Sequence, residues 1–500
     1  MTIPSYSPRD GRVLGEVRES NQVELALAVR RAAVAAPSVA DTTPAERQRW
    51  LAAVADALDA HQEALAQLAD DESALGMPRL LGEVSRTAEQ LRFYGRVAAD
   101  GGYLGVTVDE ATATAPRLVR INRPLGPVAV FGASNFPFAF GVLGNDTGSA
   151  IAAGCPVVAK AHPAHPRTCL RLAEIATEAL AAAGAPDGVF SMVVGLQAGV
   201  DLVKADDIRA VGFTGSQSGG LALWRIANER QEVIPVFAEM GTVNPVVLTS
   251  RGARHLDEMA KGFVGSFTLG AGQFCTKPGL LFAPAGHRAA EAVAAALHQA
   301  APESTMLTQA IAENVTAGVR DLVKAGARVI GKAGGPGRGW SADAVVLTAP
   351  IGALTSGSRL LEECFGPIAI VVEYADESEL YAALTQLQGS LAGSVFGDGE
   401  DDPEAAAVIA RLAGQVGRVT LGDWPTGVAW AWAQQHGGPW PATSSPSSTS
   451  VGAGALERFV RPVTFQSVPD DVLPVSVRDA VVPENPWRIP RRVDGVLAGP

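Results

Sequence analysis

The sequence is poor in cysteine and in positive charge, and it has no long apolar run. It contains four cysteines in 500 residues, and their spacing suggests neither a disulfide framework nor a zinc motif. Lysine and arginine total 40 against 52 aspartate and glutamate, so the net charge is −12. This balance argues against binding to nucleic acid or to an anionic membrane. No uninterrupted apolar stretch reaches the length of a membrane span.

The first residues, "MTIPSYSPRDGRVLGEV", also lack the basic start and apolar core of a secretory signal. We therefore expect a cytoplasmic protein with reduced cysteines. A chain of 500 residues is too long for one hydrophobic core, so we expect at least two domains.

Helical periodicity dominates the first hundred residues. Apolar residues recur at helical spacing in 19–37 and 43–73, so we predict helices there. The residues that suit the two helix starts are Ser20 or Asn21 and Thr43 or Pro44. The segment 104–127 alternates polar and apolar residues around a turn-prone middle, which predicts a protruding hairpin.

From residue 127, short apolar segments alternate with helical ones. Predicted strands such as 128–132 and 155–160 are followed by helices, the first of them from about Phe138. This alternation predicts βαβ units and a parallel, doubly wound sheet, which binds ligands at the carboxyl ends of its strands. Residues 253–430 repeat this alternation of strand-like and helical segments with different loops. The predicted fold class is α/β, with two Rossmann-like doubly wound domains.

Four polar side chains stand where predicted strands stop or in the Gly-rich turn "GQFCTKPG": Asn135, Lys160, Glu239 and Cys275. Each has an ordinary structural explanation when taken alone, such as core packing for a cysteine or helix capping for an asparagine. Together they suit one chemistry. A thiolate in a partly exposed turn can attack a carbonyl, and an amide can stabilise the oxyanion. A carboxylate can activate a water against the thioester, and a strand-end lysine can bind a dinucleotide ribose.

The segment "VGFTGSQSGG" (211–220) is strand, glycine turn and helix in order. A helix starting at Ser216 could hold a pyrophosphate at its N-terminus. The segment is not GxGxxG, so alone it is weak evidence.

Other residues admit two interpretations. His162 and His165 have the spacing of a metal pair, but the prolines beside them break a helix, so we predict structural histidines and no metal. Lys277 could lower the pKa of the Cys275 thiol or point to solvent. The tryptophans that could line a substrate entrance or pack in a core are Trp430, Trp432 and Trp440.

Six motifs occur in a fixed order along the chain: "FGASNFPFAF", "PVVAKAHPAHP", "VGFTGS", "FAEMG", "GQFCTKPG" and "EECFGP". Their order and intervals resemble those of the aldehyde dehydrogenase superfamily over nearly the whole chain. The resemblance implies oxidation of an aldehyde to a carboxylic acid with NAD(P)+, through a cysteine thiohemiacetal and a thioester.

The resemblance also implies a role for each motif residue. Cys275 would be the nucleophile, Glu239 the general base, and Asn135 would form an oxyanion hole with the Cys275 backbone N–H. The positions that would contact the cofactor are Lys160, His162, Pro163, Gly215, Ser216, Glu363 and Phe365.

Within the superfamily, "AEMGTVNPV", "HGGPWPATSSPSSTSVG" and the tail "NPWRIPRRVDG" resemble the branch of 2,5-dioxovalerate (α-ketoglutaric semialdehyde) dehydrogenases and NADP-dependent long-chain aldehyde dehydrogenases. Many NAD-preferring relatives have a glutamate three residues after the strand-end lysine, where this chain has Pro163. The cofactor is therefore expected to be NADP or NAD, with NADP favoured, although no arginine nearby marks a phosphate clamp.

The resemblance implies the domain boundaries. A cofactor-binding domain is expected over 1–105 and 127–240, and a catalytic domain carrying the nucleophile over 241–435. Residues 436–464 would return to the cofactor-binding domain and the substrate tunnel. The oligomerisation elements expected to make a homodimer or homotetramer are 106–126 and 465–500, the latter including the basic residues Arg488, Arg491 and Arg492.

Three other functions compete with an oxo-acid semialdehyde dehydrogenase. A dehydrogenase of medium or long-chain aliphatic aldehydes would catalyse the same reaction on a different substrate. A non-redox cysteine esterase or acyl transferase would use a histidine partner for the cysteine, and the sequence indicates none. A non-catalytic protein would be expected to lose the nucleophile or base, and both residues are present.

Overall fold

A computed structural model describes residues 1–399, 401–474, 478 and 490–498. The first residues differ from the prediction, because a β-hairpin precedes the helices. Its two strands, β1 (Thr2–Tyr6) and β2 (Val13–Arg18), pair antiparallel across a tight connection. The two predicted helix starts are confirmed in detail. Asn21 and Thr43 each form a capping box. The side chain accepts a hydrogen bond from the backbone N–H three residues later, and the side chain of the glutamate at that position accepts one from the backbone N–H of Asn21 or Thr43.

The helices in the described residues have the following bounds: α1 Gln22–Ala40, α2 Pro44–Ala60, α3 Gln62–Ser73, α4 Met77–Asp100, α5 Asn145–Ala153, α6 Pro166–Ala182, α7 Leu196–Lys204, α8 Gln217–Asn228, α9 Leu256–Thr268, α10 Ala289–Ala300, α11 Gln309–Lys324, α12 Glu377–Leu384 and α13 Pro403–Leu412. Among the helices that the structure describes, none is long and apolar enough to cross a membrane.

The remaining strands have the following bounds: β3 Val106–Asp109, β4 Leu118–Pro124, β5 Val128–Phe131, β6 Val157–Lys160, β7 Phe190–Val193, β8 Ala210–Gly215, β9 Val236–Met240, β10 Pro245–Leu248, β11 Leu280–Pro284, β12 Ser304–Thr305, β13 Arg328–Ala333, β14 Ser341–Ala342, β15 Ala344–Thr348, β16 Ile368–Tyr374, β17 Ser390–Phe396, β18 Val416–Leu421, β19 Val460–Gln466, β20 Arg491–Val493 and β21 Val496–Ala498.

Two parallel sheets form the bulk of the molecule, as the alternation of strands and helices predicts. The first has the order β7-β6-β5-β8-β9, and all its strands are parallel. The second has the order β13-β15-β16-β11-β10-β17-β18, in which only the edge strand β13 runs antiparallel. Their central strands are buried on both faces, because helices cover parallel sheets on each side. The α/β fold class is confirmed.

The predicted hairpin near 106–124 is also present. Strands β3 and β4 pair antiparallel and belong to a third sheet with the order β19-β4-β3-β20-β21. Two strands of this sheet, β20 and β21, come from the tail. The tail motif falls partly on residues 479–489, so its first half and Arg488 lie outside the described residues.

The prediction that a helix starts at about Phe138 is wrong. Helix α5 begins at Asn145, and residues 136–144 form a turn instead. The buried Glu83 side chain explains the difference, because its Oε1 accepts hydrogen bonds from the backbone N–H groups of Phe138 (2.9 Å) and Ala139 (3.0 Å). A carboxylate distant in sequence therefore satisfies amides that a local helix would have used.

Another buried carboxylate joins the hairpin to two helices. Glu72 on α3 is fully buried and accepts hydrogen bonds from the Ser5 hydroxyl, at 2.6 Å, and the Thr168 hydroxyl, at 2.7 Å. It also accepts from the backbone N–H groups of Arg167 (3.0 Å) and Thr168 (2.8 Å) in the first turn of α6. These amides have no partner within their own helix, and a negative charge is favoured at that end.

We predict that Glu72→Ala weakens the first turn of α6, because the variant leaves two buried amides without an acceptor. The free energy of opening there should fall by about 3 kcal/mol. Hydrogen exchange followed by mass spectrometry measures this as faster exchange at the start of α6. Glu63→Ala, at an exposed position of the same helix, is the control and should exchange like the parent. Unchanged protection in Glu72→Ala would contradict the capping role.

Candidate active site

A cavity of about 800 Å³ lies at the carboxyl ends of β5, β6 and β8. That is the edge where a doubly wound sheet offers its loops to a ligand. The N-terminal hairpin and the start of α11 complete its walls. Every residue predicted for the site borders this cavity: Asn135, Lys160, His162, Pro163, Gly215, Ser216, Glu239, Cys275, Glu363 and Phe365.

The loop that carries Cys275 follows helix α9 and not a strand. Gly272 has a φ of +68°, and a Cβ there would lie 2.3 Å from the backbone carbonyl of Gly366. Only glycine permits this approach. Asn244 fixes the loop from the other side, where its Nδ2 donates to the carbonyl oxygens of Cys275 (2.7 Å) and Lys277 (3.1 Å).

Lys277 follows neither of its two predicted orientations. Its side chain is buried, and Nζ donates to the carbonyl oxygens of Cys364 (3.0 Å) and Ile368 (2.7 Å). The ammonium is therefore a link between two backbone segments, and it faces neither solvent nor the thiol.

Cys275 has a histidine partner, so the sequence-based statement that none was available is wrong. Nε2 of His436 lies 3.7 Å from the Cys275 Sγ and 3.1 Å from Oε2 of Glu239. His436 and Glu239 are both buried, whereas Cys275 is half-buried. One ring nitrogen thus contacts the thiol and the carboxylate.

The Pro- and Ser-rich loop, residues 436–452, brings this histidine to the site. Residues 442–444 run antiparallel along the free edge of β9, with Met240 N–H donating to the Ala442 carbonyl at 2.9 Å. The backbone N–H of His436 donates to Thr449 Oγ1 (2.8 Å), and Ser450 Oγ donates to Glu239 Oε2 (3.3 Å). These contacts fix the position of the loop beside Cys275 and Glu239.

The charges around Cys275 set its protonation. Burial raises the pKa of the thiol well above its usual range, and the carboxylates of Glu239 and Glu363 raise it further. Burial would also raise the pKa of Glu239, but the charge and hydrogen bond of His436 and the Ser450 hydroxyl outweigh it and lower that pKa. The site at neutral pH therefore combines a protonated thiol with an ionised carboxylate.

Asn135 lies directly against the nucleophile loop. Its Nδ2 donates to the carbonyl oxygen of Gln273 at 2.8 Å, two residues before Cys275. The side-chain amide is thus held near the thiol, and it needs only to exchange one acceptor to meet an oxyanion there.

The predicted cofactor residues occupy strand ends and a helix start. Lys160 ends β6, and burial lowers its pKa. Ser216 is the N-cap of α8 and accepts from the backbone N–H of Gly219 at 3.2 Å. This places a helix N-terminus on the cavity wall, where backbone amides favour an anion. The ring of His162 stacks on His165 with centroids 5.3 Å apart, and burial lowers the pKa of both rings.

Glu363 is a carboxylate on the cavity wall. Its Oε1 has no hydrogen-bond partner, and burial raises its pKa to about 7. A Cβ on Gly241 would lie 2.1 Å from Glu363 Oε2, so that backbone leaves space for the carboxylate. An unpartnered buried oxygen suits hydroxyl donors from a bound ligand.

The three tryptophans border no part of the cavity described above. Trp430 packs with Phe136, Phe140 and Val428 in a small apolar cluster, whereas Trp432 and Trp440 are more than half exposed.

Comparison with known proteins agrees with this geometry. Residues 1–459 match the Aldehyde dehydrogenase family. The chain belongs to the aldehyde dehydrogenase family. It is 43% identical over 462 residues to alpha-ketoglutaric semialdehyde dehydrogenase 2 of Azospirillum brasilense, covering 90% of this chain and 87% of that protein. It is 38% identical over 471 residues to the alpha-ketoglutaric semialdehyde dehydrogenase of Acinetobacter baylyi, covering 91% and 88%.

The fold is shared with solved structures of lower identity. An NADP-dependent enzyme from E. coli superposes with a TM-score of 0.79 at 24% identity, covering 93% of this chain and 94% of its own. This aldehyde dehydrogenase is therefore an oxidoreductase that converts an aldehyde to a carboxylic acid with NAD(P)+.

Sequence reasoning missed two parts of the site. His436 begins the motif "HGGPWPATSSPSSTSVG", so its place in that block was an available signal. The second part lies on α4, where Arg79, Glu83 and Arg86 follow the i, i+4, i+7 spacing of one helix face. Both guanidinium groups lie next to aromatic rings, and each has a buried nitrogen without a partner.

We predict that alkylation of Cys275 by iodoacetamide is slow at neutral pH in the cofactor-free enzyme and rises only in alkaline solution, because the thiol pKa is raised. Glu239→Gln removes a nearby negative charge, so the pH profile should move to lower pH. Peptide mass spectrometry measures the rate at Cys275. Glu362→Gln, an exposed neighbour of Glu363, is the control. A profile that does not move in Glu239→Gln would contradict this electrostatic account.

Proposed function

We propose that this aldehyde dehydrogenase oxidises α-ketoglutaric semialdehyde (2,5-dioxopentanoate) to 2-oxoglutarate. The substrate assignment rests on the sequence identity of 43% and 38% to two alpha-ketoglutaric semialdehyde dehydrogenases over about 90% of the chain. The chemistry rests on Cys275, Glu239 and Asn135 meeting at one cavity.

In this proposal Cys275 attacks the aldehyde carbon while the His436 ring is neutral and Nε2 carries no proton, and Nε2 takes the thiol proton. The resulting imidazolium lies 3.1 Å from the Glu239 carboxylate, which stabilises it. The Asn135 amide and the Cys275 backbone N–H stabilise the oxyanion. The adduct then loses a hydride, which a bound nicotinamide would accept, and a thioester results. A water hydrolyses the thioester and expels the Cys275 thiolate, which takes back its proton from His436. The water's proton goes to Glu239, which the lowered pKa keeps ionised for this step.

The cavity fits a nicotinamide dinucleotide, which accepts a hydride when bound. Lys160 and Glu363 would hold its ribose hydroxyls, and Ser216, with Gly215 before it, would hold the pyrophosphate at the start of α8. Phe365 would face the nicotinamide, and the backbone at His162 and Pro163 would border the adenosine ribose. The unpartnered Glu363 Oε1 supports this assignment.

We favour NADP over NAD as the cofactor. Pro163 stands where a glutamate would repel a 2′-phosphate. The acidic residues that border the cavity in the described chain are Glu239 and Glu363, and both raise the pKa of the Cys275 thiol by their charge. Lys160 supplies a positive charge. Arginine is absent from the described cavity wall, which makes NAD a usable alternative.

Arg86 is the residue we assign to the distal carboxylate of the substrate. Its guanidinium lies 5.0 Å from the Trp430 ring centroid and donates to the Val428 carbonyl, while Nε stays buried and unpartnered. Val428 and Trp430 pack against Phe140, whose ring centroid is 6.2 Å from that of His436. A free donor behind aromatic walls near the nucleophile suits an anionic substrate.

The same aromatic walls favour the second candidate, a dehydrogenase of medium or long-chain aliphatic aldehydes. Phe136 packs edge-on against Phe140 and Phe274, with centroids 5.5 and 5.1 Å away. Such a lining would bind an alkyl chain through apolar contact alone.

We also propose a homodimer or homotetramer built through the third sheet. Strands β19 and β21 are its edges, and Val496 and Leu497 on β21 are largely exposed. An exposed apolar edge strand is a template for pairing with another chain. The proposed unit boundaries are those given for the sequence, with 1–105 and 127–240 around the first sheet and 241–435 around the second.

The first test separates the roles of the three groups at Cys275. Cys275→Ala should abolish oxidation and still bind NADP+. Glu239→Gln should keep a burst of NAD(P)H while steady turnover falls by roughly 100-fold or more, because hydrolysis loses its base. His436→Gln should instead slow the burst itself. Rapid-mixing kinetics measures both phases, with the exposed His298→Gln as control. Normal turnover in Cys275→Ala or Glu239→Gln would overturn the mechanism.

The second test is an initial-rate panel of aldehydes with NAD+ and NADP+. We expect kcat/KM for α-ketoglutaric semialdehyde to exceed that for hexanal, and NADP+ to be the better cofactor. Arg86→Gln should lower kcat/KM for the semialdehyde by roughly 10- to 100-fold, the value of a charge-assisted hydrogen bond, and leave hexanal unaffected. Arg96→Gln, exposed on the same helix, is the control. A clearly higher kcat/KM for hexanal in the parent enzyme would reject the semialdehyde as substrate.

A further inference from the structure

Three different metal-binding groups converge beside the cavity. In the described part of the chain, the Cys275 Sγ, a His436 ring nitrogen and a Glu239 oxygen all lie within 4.8 Å of one another. They come from separate segments: the loop after α9, the Pro- and Ser-rich loop, and the end of β9. Neither sequence spacing nor motif order predicts this group, because each residue belongs to a different motif.

The distances are those of a zinc site. Zinc bonds of about 2.3 Å to sulfur and about 2.0 Å to nitrogen and oxygen, at a tetrahedral angle, place S and N about 3.5 Å apart and N and O about 3.3 Å apart. The observed separations are 3.7 Å from Sγ to Nε2 and 3.1 Å from Nε2 to Oε2. Two edges of the tetrahedron therefore have nearly the length that zinc requires, and the third, from Sγ to the Glu239 oxygen, is no longer than 4.8 Å.

The chemistry of the three ligands selects the same metal. Thiolate, imidazole and carboxylate together suit zinc, whereas magnesium and calcium prefer all-oxygen sites. Neighbouring groups also hold the ligands in place. Ser450 Oγ donates to Glu239 Oε2, Thr449 fixes the His436 backbone, and Glu239 Oε1 has no hydrogen-bond partner. A buried carboxylate with a free oxygen is ready to coordinate a cation.

We propose that this group binds one zinc ion per chain and that zinc is a reversible inhibitor of the enzyme. Zinc coordinates Sγ of Cys275, Nε2 of His436 and one oxygen of the Glu239 carboxylate, with water in the fourth position. The thiol proton is released to solvent as the zinc–sulfur bond forms, and no electron is transferred. Bound zinc blocks the nucleophile, so metal and aldehyde exclude each other.

Zinc binding is tested without turnover. The enzyme is first treated with a chelator and then titrated with zinc chloride in a calorimeter, and with cobalt(II) in a spectrophotometer. We expect one zinc per chain and, with cobalt, the visible bands of a tetrahedral ion together with a sulfur-to-metal charge-transfer band. Zinc should also protect Cys275 from iodoacetamide, and magnesium should not.

Variants decide whether these three side chains are the ligands. Cys275→Ala and His436→Gln should each weaken zinc binding by more than roughly the 100-fold expected for loss of a supporting group. The control is Cys169→Ser, which breaks another buried cysteine–histidine contact, 3.3 Å from Cys169 Sγ to His165 Nδ1, that has no third ligand. It should bind zinc like the parent. Retained NADP+ binding checks that each variant is folded.

Parent-like zinc affinity in either Cys275→Ala or His436→Gln, or no zinc binding by the parent enzyme, would overturn the proposal. Failure of the proposed substrate is a separate result, because calorimetry and the cobalt spectrum need no aldehyde. An enzyme that binds zinc at this site and prefers hexanal would refute only the substrate assignment.

Discussion

The buried ammonium of Lys277 ties together the two segments that carry the site. Lys277 lies two residues after Cys275 in the sequence, and its ammonium donates to the carbonyl oxygens of Cys364 and Ile368. Burial lowers the pKa of this amine, while neighbouring Cys364 and Glu363 act to raise it. Two carbonyl acceptors offset the cost of burying the group. Cys275 and Glu363, almost 90 residues apart in sequence, therefore hold a fixed relation to each other.

Local sequence chemistry predicted most of the scaffold. The capping residues Asn21 and Thr43 identify their helix starts because a capping box needs only residues three apart. The parallel strands were recognisable as short apolar runs between helical segments, since they are buried on both faces. The same reasoning placed Lys160 and Glu239 at strand ends, and both border the cavity. These features depend on contacts within a few residues.

Features that depend on distant contacts escaped prediction. The turn at 136–144 exists because Glu83, on α4, takes amide protons that a helix would have used. His436 reaches Cys275 only because its loop runs along the free edge of β9. No local pattern encodes either arrangement. The hairpin at 2–18 was missed for a similar reason, since it is short and is held by Glu72 and by residues near Trp340.

That hairpin has a consequence for how the protein forms during synthesis. The segment next to β1 is held by a residue far along the chain. The Trp340 N–H donates to the Pro8 carbonyl at 2.9 Å, and the Tyr6 and Trp340 rings pack edge-on with centroids 5.9 Å apart. One of the contacts that hold this hairpin therefore joins residues more than 300 positions apart. Domains fold as they emerge, and long-range pairing is slow. Because Tyr6 and Trp340 both line the cavity, that side of its wall is complete only after the segment around Trp340 has been translated.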